Sequence, residues 1–346
     1  MKIALISDAW SPQVNGVVTT LQTTCAHLHA QGHTVETVTP DQFRHWPCPT
    51  YPEIPLAFGC GRKLRARLDA FQPDAIHIAT EGPLGLAARA YCQQRKLPFT
   101  TSFHTRFSEY VNLRTGLPLS WGYAFLRWFH NASERVMTAT PGLVDELKQR
   151  GFRNPVLWSR GVDTELFRPR DKGFLDATRP VMLYTGRVAV EKNIEAFLRL
   201  DLPGTKVVVG DGPQRQELER KYPDVRFVGY RYGEELAQHM AAADVFVFPS
   251  LTDTFGLVML EALACGVPVA AFPVQGPNDV ILDERVGSLD ADLAKAIETA
   301  LALKPEVCRE YALRYSWQDC AKLFESFLAP FPKAMPKTMA WWQRYT

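Results

Sequence analysis

The sequence predicts an α/β protein made of two doubly wound domains, each a mostly parallel sheet with helices on both faces. Three observations carry that expectation. Apolar runs rich in β-branched residues alternate with helical patterns from one end of the chain to the other. The alternation restarts after about residue 180. The 346 residues also exceed the length over which a single core usually grows, about 250 to 300 residues.

In chain order, KIALIS, HTVETVTP, DAIHIA, FTTSFH and RVMTAT read as buried strands, with helices near 16 to 31, 60 to 71, 83 to 95 and 120 to 133 between them. Strand–helix–strand units of this kind make the strands parallel. Residues 160 to 180, RGVDTELFRPRDKGFLDATRP, are charged, carry two prolines and follow neither period, so the break falls there. PVMLYTGR, TKVVVGDG, VRFVGY, DVFVFPS and VPVAAF then read as strands, with helices near 193 to 200, 213 to 221, 233 to 242 and 256 to 264. A loop at QGPND, a helix around 290 to 303 and a segment around 316 to 329 follow. The expected domains are 1–168 and 169–325. The tail, 326–346, carries Trp341, Trp342 and Tyr345 among Lys333, Lys337 and Arg344. It is expected to pack back on the first domain, because aromatic side chains usually bury, with a membrane interface as the other reading.

With 39 Lys and Arg against 37 Asp and Glu the net charge is +2, which gives no bulk field for nucleic acid, and none is expected as a partner. The start, MKIALISDAWSP, reads as a first strand and not as a signal peptide. No window of eighteen residues is apolar enough to span a bilayer, so the expected place is the cytoplasm, with any membrane contact peripheral. Seven cysteines without CxxC spacing argue against a disulfide framework and against a zinc site. His29 and His33 are four apart, but Gly32 and the start of a strand separate them, so no metal is expected.

Ligands of open α/β sheets bind beyond the carboxyl ends of the strands, so the residues there matter most. Asn15-Gly16 opens a helix after the first strand, where an anion can approach free amides, although a plain turn and cap explain it equally. Neither GxGxxG nor GxxxxGK[ST] occurs, which disfavours an NAD dehydrogenase or a P-loop enzyme. Glu81 follows DAIHIA, and His104, Thr105 and Arg106 follow FTTSF. An imidazole there suits a substrate hydroxyl or proton transfer; the alternative is a histidine satisfied by a backbone carbonyl. Arg187 ends VMLYTG and Lys192 starts the next helix, an arrangement suited to a pyrophosphate, or two solvated charges. In SLTDTFGLVMLEALACG, Glu261 has Leu257, Val258, Ala264 and Cys265 at its helical neighbours, so no local cation pairs with it. An unpaired buried carboxylate is costly, so its partner is either a distant cation or ligand hydroxyls such as a ribose.

Six motifs in order, PQVNGVV, SFHTRFSEY, SRGVDTELFRP, GRVAVEKN, VVGDGP and PSLTDTFGLVMLEALACGVPV, resemble the retaining GT-B glycosyltransferases of family four along nearly the whole chain. The branch includes phosphatidylinositol and other GDP-mannose-dependent mannosyltransferases and diacylglycerol glycosyltransferases. The resemblance implies two Rossmann-like domains facing across a cleft, a nucleotide sugar on the second, and a lipid or glycolipid acceptor on the first. GDP-mannose is favoured over a UDP-hexose, and no metal or other cofactor is implied. By motif, Gly16 would approach the distal phosphate, Arg187 and Lys192 would neutralise the pyrophosphate, and Glu261 would bind the ribose. Asp253 would hold a sugar hydroxyl near the amides of Phe255, Gly256 and Leu257, and His104 would contact the sugar. Asn15, Glu81, Thr105 and Arg106 are further candidates for acceptor or sugar contact. Two departures stand out: Asp253 where the family usually has Glu, and PVQGPND where many members have a double glycine before the acid.

Residues 61 to 71 form a short basic amphipathic helix in which Arg62, Lys63, Arg65 and Arg67 surround Leu64 and Leu68. In lipid-active relatives a basic helix of this domain meets anionic membrane, and the same contact is one reading here; a solvated face with no partner is the other. The rival classes are a UDP-sugar-dependent diacylglycerol glycosyltransferase, a sugar-nucleotide epimerase and an inactive nucleotide-sugar-binding protein.

Overall fold

The computed structural model describes residues 1–48 and 51–332. The expectation for Trp341, Trp342 and Tyr345 lies outside them. The first unit contains strands β1 (Lys2–Ile6), β2 (Thr34–Val38), β3 (His45–Cys48), β4 (Tyr51–Ala57), β5 (Ala75–Ile78), β6 (Thr100–Phe103), β7 (Arg135–Thr138) and β8 (Pro155–Leu157). Its helices are α1 (Gly16–Ala30), α2 (Gly61–Phe71), α3 (Pro83–Arg95), α4 (Phe107–Thr115), α5 (Leu119–His130) and α6 (Pro141–Gln149). The second unit has strands β9 (Val181–Thr185), β10 (Thr205–Val209), β11 (Arg226–Gly229), β12 (Val245–Phe248), β13 (Val269–Ala271) and β14 (Gly287–Leu289). Its helices are α7 (Glu195–Leu198), α8 (Arg215–Lys221), α9 (Gly233–Ala241), α10 (Leu257–Ala264), α11 (Pro277–Val280), α12 (Leu293–Leu301) and α13 (Pro305–Ala312), and α14 (Trp317–Phe327) closes the described chain.

Each unit is a parallel six-stranded sheet, in the order β2-β1-β5-β6-β7-β8 and β11-β10-β9-β12-β13-β14. Strand order reverses between β1 and β5 in the first sheet and between β9 and β12 in the second. Those two points are where such sheets open a crevice at their carboxyl ends. The near-continuous apolar strands are explained by burial on both faces: Ile3 to Ile6, Met182 to Leu183 and Val245 to Val247 are all fully buried.

Some elements differ from the sequence expectation. β3 and β4 form an antiparallel hairpin in a proline-rich stretch that has no clear period. QGPND is not simply a loop, because Pro277 starts the short α11 after Gly276 at φ 93°. A Cβ on Gly276 would lie 2.6 Å from the carbonyl oxygen of Asp253, so only glycine lets these two loops touch.

The return to the first unit also begins earlier than residue 326. α14 packs on α1, burying Trp317, Cys320 and Phe324 with Ile3, Leu5, Leu21 and Trp158. The Trp158 indole donates to the Cys320 carbonyl at 3.1 Å. The α14 segment, placed with the second domain on sequence, therefore belongs to the core of the first. Trp317, Cys320, Ala321 and Phe324 form one buried stripe of α14, and their spacing alone does not say which sheet that stripe faces.

Candidate active site

The carboxyl ends of the two sheets meet where α1 and α10 begin. A Cβ on Gly16 would sit 3.4 Å from Leu257 Cδ1, and Leu257 packs against the cores of both units. Thr254 Oγ1 donates to the His104 carbonyl at 2.7 Å, tying the loop before α10 to the loop after β6. Asp279 Oδ1 accepts from the amide of Gly142 at 3.2 Å, a second bridge between the units. Residues far apart in sequence, at 16, 104, 192 and 253 to 257, are thereby gathered at one junction.

On the second unit, Gly256 precedes α10 at φ 84°, a left-handed conformation that glycine adopts at little cost, and no side chain caps this helix end. Lys192 Nζ donates to Asp253 Oδ1 at 2.5 Å, while Asp253 Oδ2 is buried with no hydrogen-bond partner. Thr185 Oγ1 at the end of β9 and Ser250 Oγ just beyond β12 are buried without partners too. Buried polar atoms are normally paired, so such atoms gathered at these strand ends mark a place built to receive polar groups of a ligand.

Arg187 is half-buried, and its carbonyl accepts from the Tyr184 hydroxyl at 2.7 Å. Phe255 is buried. Glu261 lies on α10 one turn beyond Leu257, half-buried and without a hydrogen-bond or ion-pair partner among the described residues. Burial pushes its carboxyl up to about 7. The absence of a local cation, read from the sequence, thus extends to distant ones among the described residues.

On the first unit, His104 is held by Arg160, whose Nη2 lies 3.3 Å from His104 Nδ1. A guanidinium only donates, so Nδ1 accepts and the neutral ring carries its proton on Nε2. That Nε2 is buried without a partner. Burial, then the charge of Arg160, holds the imidazole well below its usual value, so it stays neutral at physiological pH. His104 is arranged as a hydrogen-bond donor through Nε2 and not as a cation. Arg160 is itself buried, donates to the carbonyl of Trp158 at 2.6 Å, and lies over the Trp158 ring. Burial lowers it to about 10, still charged at neutral pH. Arg160 lies within the SRGVD motif, and nothing local to that motif points to an imidazole 56 residues away as its partner.

Replacing Arg160 with Met is expected to free Nδ1 and lower kcat by about ten- to a hundred-fold while the donor KM changes little, on the order of one to three kcal/mol for a hydrogen bond to a charged group. Steady-state kinetics check this. Imidazole nitrogen NMR adds a readout that simple loss of packing would not move: in the wild type Nδ1 remains unprotonated through the neutral range.

Other candidates are engaged elsewhere. The Asn15 side chain caps α1, accepting from the amides of Val17 and Val18 at 3.0 Å each, so it serves the helix and is not offered to a sugar. Arg106 pairs with Glu146 and Glu109, which removes its charge from the cleft. Glu81 accepts from buried His130 at 3.0 Å. Thr105 is half-buried beside His104.

The α2 cations also find protein partners: Lys63 the Gln42 carbonyl, Arg65 Gln94, and Arg67 Glu36 and Gln42, with Arg62 exposed. Leu64 and Leu68 are fully buried in the core. The apolar stripe of α2 faces protein and has none left for a membrane. Among the described residues no three His, Cys, Asp or Glu side chains gather as a metal-binding group, and no helix is long and apolar enough to cross a membrane.

Two doubly wound units facing across a cleft, with cations and helix starts at the junction, define a GT-B glycosyltransferase. The model described as Glycosyltransferase Family 4 matches residues 14–166, and the model described as Glycosyl transferases group 1 matches residues 179–303. A GDP-mannose-dependent alpha-mannosyltransferase of Mycobacterium tuberculosis is 30% identical over 317 residues, covering 84% of this chain and 83% of the relative. An Arabidopsis thaliana sulfoquinovosyl transferase is 30% identical over 79% of this chain and 60% of its own length. An alpha-monoglucosyldiacylglycerol synthase of Streptococcus pneumoniae is 28% identical over 89% of this chain and 80% of its own.

Among solved structures, sucrose-phosphate synthase from Thermosynechococcus elongatus superposes with a TM-score of 0.77 at 23% identity, over 94% of this chain and 97% of that one. Anabaena HepE with UDP-glucose gives 0.68 at 17% identity, over 94% and 100%. These likenesses support the fold. The chain belongs to glycosyltransferase family four and is a nucleotide-sugar-dependent hexosyltransferase.

Proposed function

We propose that this enzyme moves a hexose, mannose from GDP-mannose in the first place, onto a lipid or glycolipid acceptor with retention of anomeric configuration, at the cytoplasmic face of a membrane. The observation that carries the donor side is a pair of carboxylates in different states. Asp253 is clamped by Lys192 with one oxygen unpartnered, and Glu261, on the same helix–loop unit, has no partner among the described residues. One donor molecule answers both needs: its sugar hydroxyl at Asp253, its ribose diol at Glu261, and its diphosphate between them at the start of α10.

In this reading the bond from the anomeric carbon to the diphosphate oxygen breaks, and the acceptor oxygen bonds to that carbon on the same face. The acceptor proton passes to the departing phosphate. Lys192, Arg187 and the first amides of α10 meet the charge that develops on the diphosphate, with no metal called for. His104 Nε2–H donates to the sugar. The acceptor and donor readings draw on the relatives that act on GDP-mannose and on diacylglycerol glycolipids by name. UDP-hexose transfer to a diacylglycerol is the second reading.

Labelled GDP-mannose and UDP-hexoses, each incubated with purified protein and lipid extract, test this. Mannolipid formed from GDP-mannose alone is expected. Glucolipid from UDP-glucose selects the second reading, and an epimerised sugar nucleotide in the absence of acceptor contradicts both.

A further inference from the structure

We propose that the outer face of α5, continued by Phe107, Leu117 and Leu119, docks the protein on an anionic lipid bilayer; the inference rests on the lipid-acceptor reading. α5 is apolar on two sides. Tyr123, Leu126 and Phe129 are buried against the sheet. Trp121, Phe125 and Trp128 point the other way and are 69%, 40% and 53% exposed, with Ala124 exposed beside them. Their spacing places all four on one stripe. An ordinary surface helix has a polar outer face, so a second apolar stripe calls for something to cover it. Exposed Leu117, Leu119 and Phe107 extend this surface, and Phe107 is three residues from His104. The apolar face therefore ends at the mouth of the cleft.

The charge around it identifies the occupant. Residues 110 to 133 contain no Asp or Glu, and Arg127 on α5 is half-buried. α3 lies alongside, its Arg89 donating to the carbonyls of Trp128 and Phe129, and presents exposed Leu86 and Ala90. α2 packs on α3 and adds exposed Arg62 and Arg65. Tryptophan favours the bilayer interface, and arginines around it favour anionic headgroups. A second copy fits less well, because a twofold contact of this face with itself sets arginines against arginines. Docked this way, the mouth of the cleft meets the lipid surface, and an acceptor headgroup reaches His104 without leaving the bilayer. The basic α2 then serves as a cationic flank, and the aromatic helix two positions along the layer makes the apolar contact.

The test is sedimentation of the full chain with phosphatidylglycerol–phosphatidylcholine vesicles, beside Trp121→Ser/Phe125→Ser and Arg62→Glu/Arg65→Glu variants. The aromatic variant is expected to partition about ten-fold or more weakly, and the charge variant to lose binding mainly as salt rises, both with unchanged donor KM on detergent-dispersed acceptor. Undiminished vesicle binding by the aromatic variant overturns the proposal. So does light scattering that shows a wild-type dimer turned to monomer by the same substitutions. A wild type that glycosylates dispersed lipid but never sediments with vesicles removes this inference and leaves the transferase reading standing. One that sediments yet glycosylates only a water-soluble acceptor keeps the docking face and removes the lipid acceptor.

Discussion

Replacing Lys192 with methionine lowers kcat by about a hundred- to a thousand-fold, the effect expected when one group aimed at developing charge is lost. Two roles converge on this ammonium. It neutralises Asp253, whose Oδ1 it holds at 2.5 Å, and on the proposed reading it faces the diphosphate as negative charge builds there. Without it the mostly buried Asp253 carboxylate has lost its cation and repels the leaving group. The same change destabilises the fold, because one partner of a buried pair is left behind. Full burial would cost about 3 to 5 kcal/mol, and the partial exposure of both side chains reduces that to about 1 to 2. Arginine at 192 keeps the charge but not the compact geometry, so it restores stability before it restores turnover. Single-turnover kinetics with circular dichroism on the same samples separate the two effects. A Lys192→Met enzyme within about three-fold of wild-type kcat contradicts the role in leaving-group departure.

Glu261 gives the second large effect, and its signs are opposed. In the free protein burial raises its carboxyl from 4.5 to about 7. Between those values the folded chain holds a proton that the unfolded chain has released, so this group favours folding at low pH and loses that contribution as pH rises through 7. Above pH 7 the ionised, partnerless carboxylate costs about 1 to 3 kcal/mol, and Glu261→Gln is expected to raise Tm there. The carboxylate form is also the better acceptor of two ribose hydroxyls. Affinity for the nucleotide therefore increases as pH rises through about 7, with proton release on binding below that value. The Gln variant loses roughly ten- to a hundred-fold in affinity, the range for hydrogen bonds to a charged group.

How much of this was legible in the sequence depends on the reach of the interaction. Glu261 stood out because every helical neighbour is apolar or small, which is a local fact. The two doubly wound sheets were legible because their central strands are buried on both faces and so read as unbroken apolar runs. Arg160 was not legible: its partners are two carbonyls and an imidazole 56 residues away, and nothing in SRGVD announces a buried cation. Arg106 reads as available beside His104 because Glu146, which holds it, lies 40 residues further along the chain. For α2 the periodicity predicts the helix that forms, but a period does not distinguish an apolar stripe against protein from one against lipid. α6 was missed although Thr140 caps it and Pro141 starts it, both of which are sequence signals.

On the proposed reading Glu261 is held ready for a nucleotide at the expense of the free protein's stability. Calorimetric titration of GDP at pH 8 into wild type and Glu261→Gln, with thermal unfolding of the same two samples, tests that most directly. The expected result is affinity lower by about ten-fold or more in the variant together with a higher Tm. Equal affinity, with Tm unchanged or lowered, would show that Glu261 serves the fold and not the ligand.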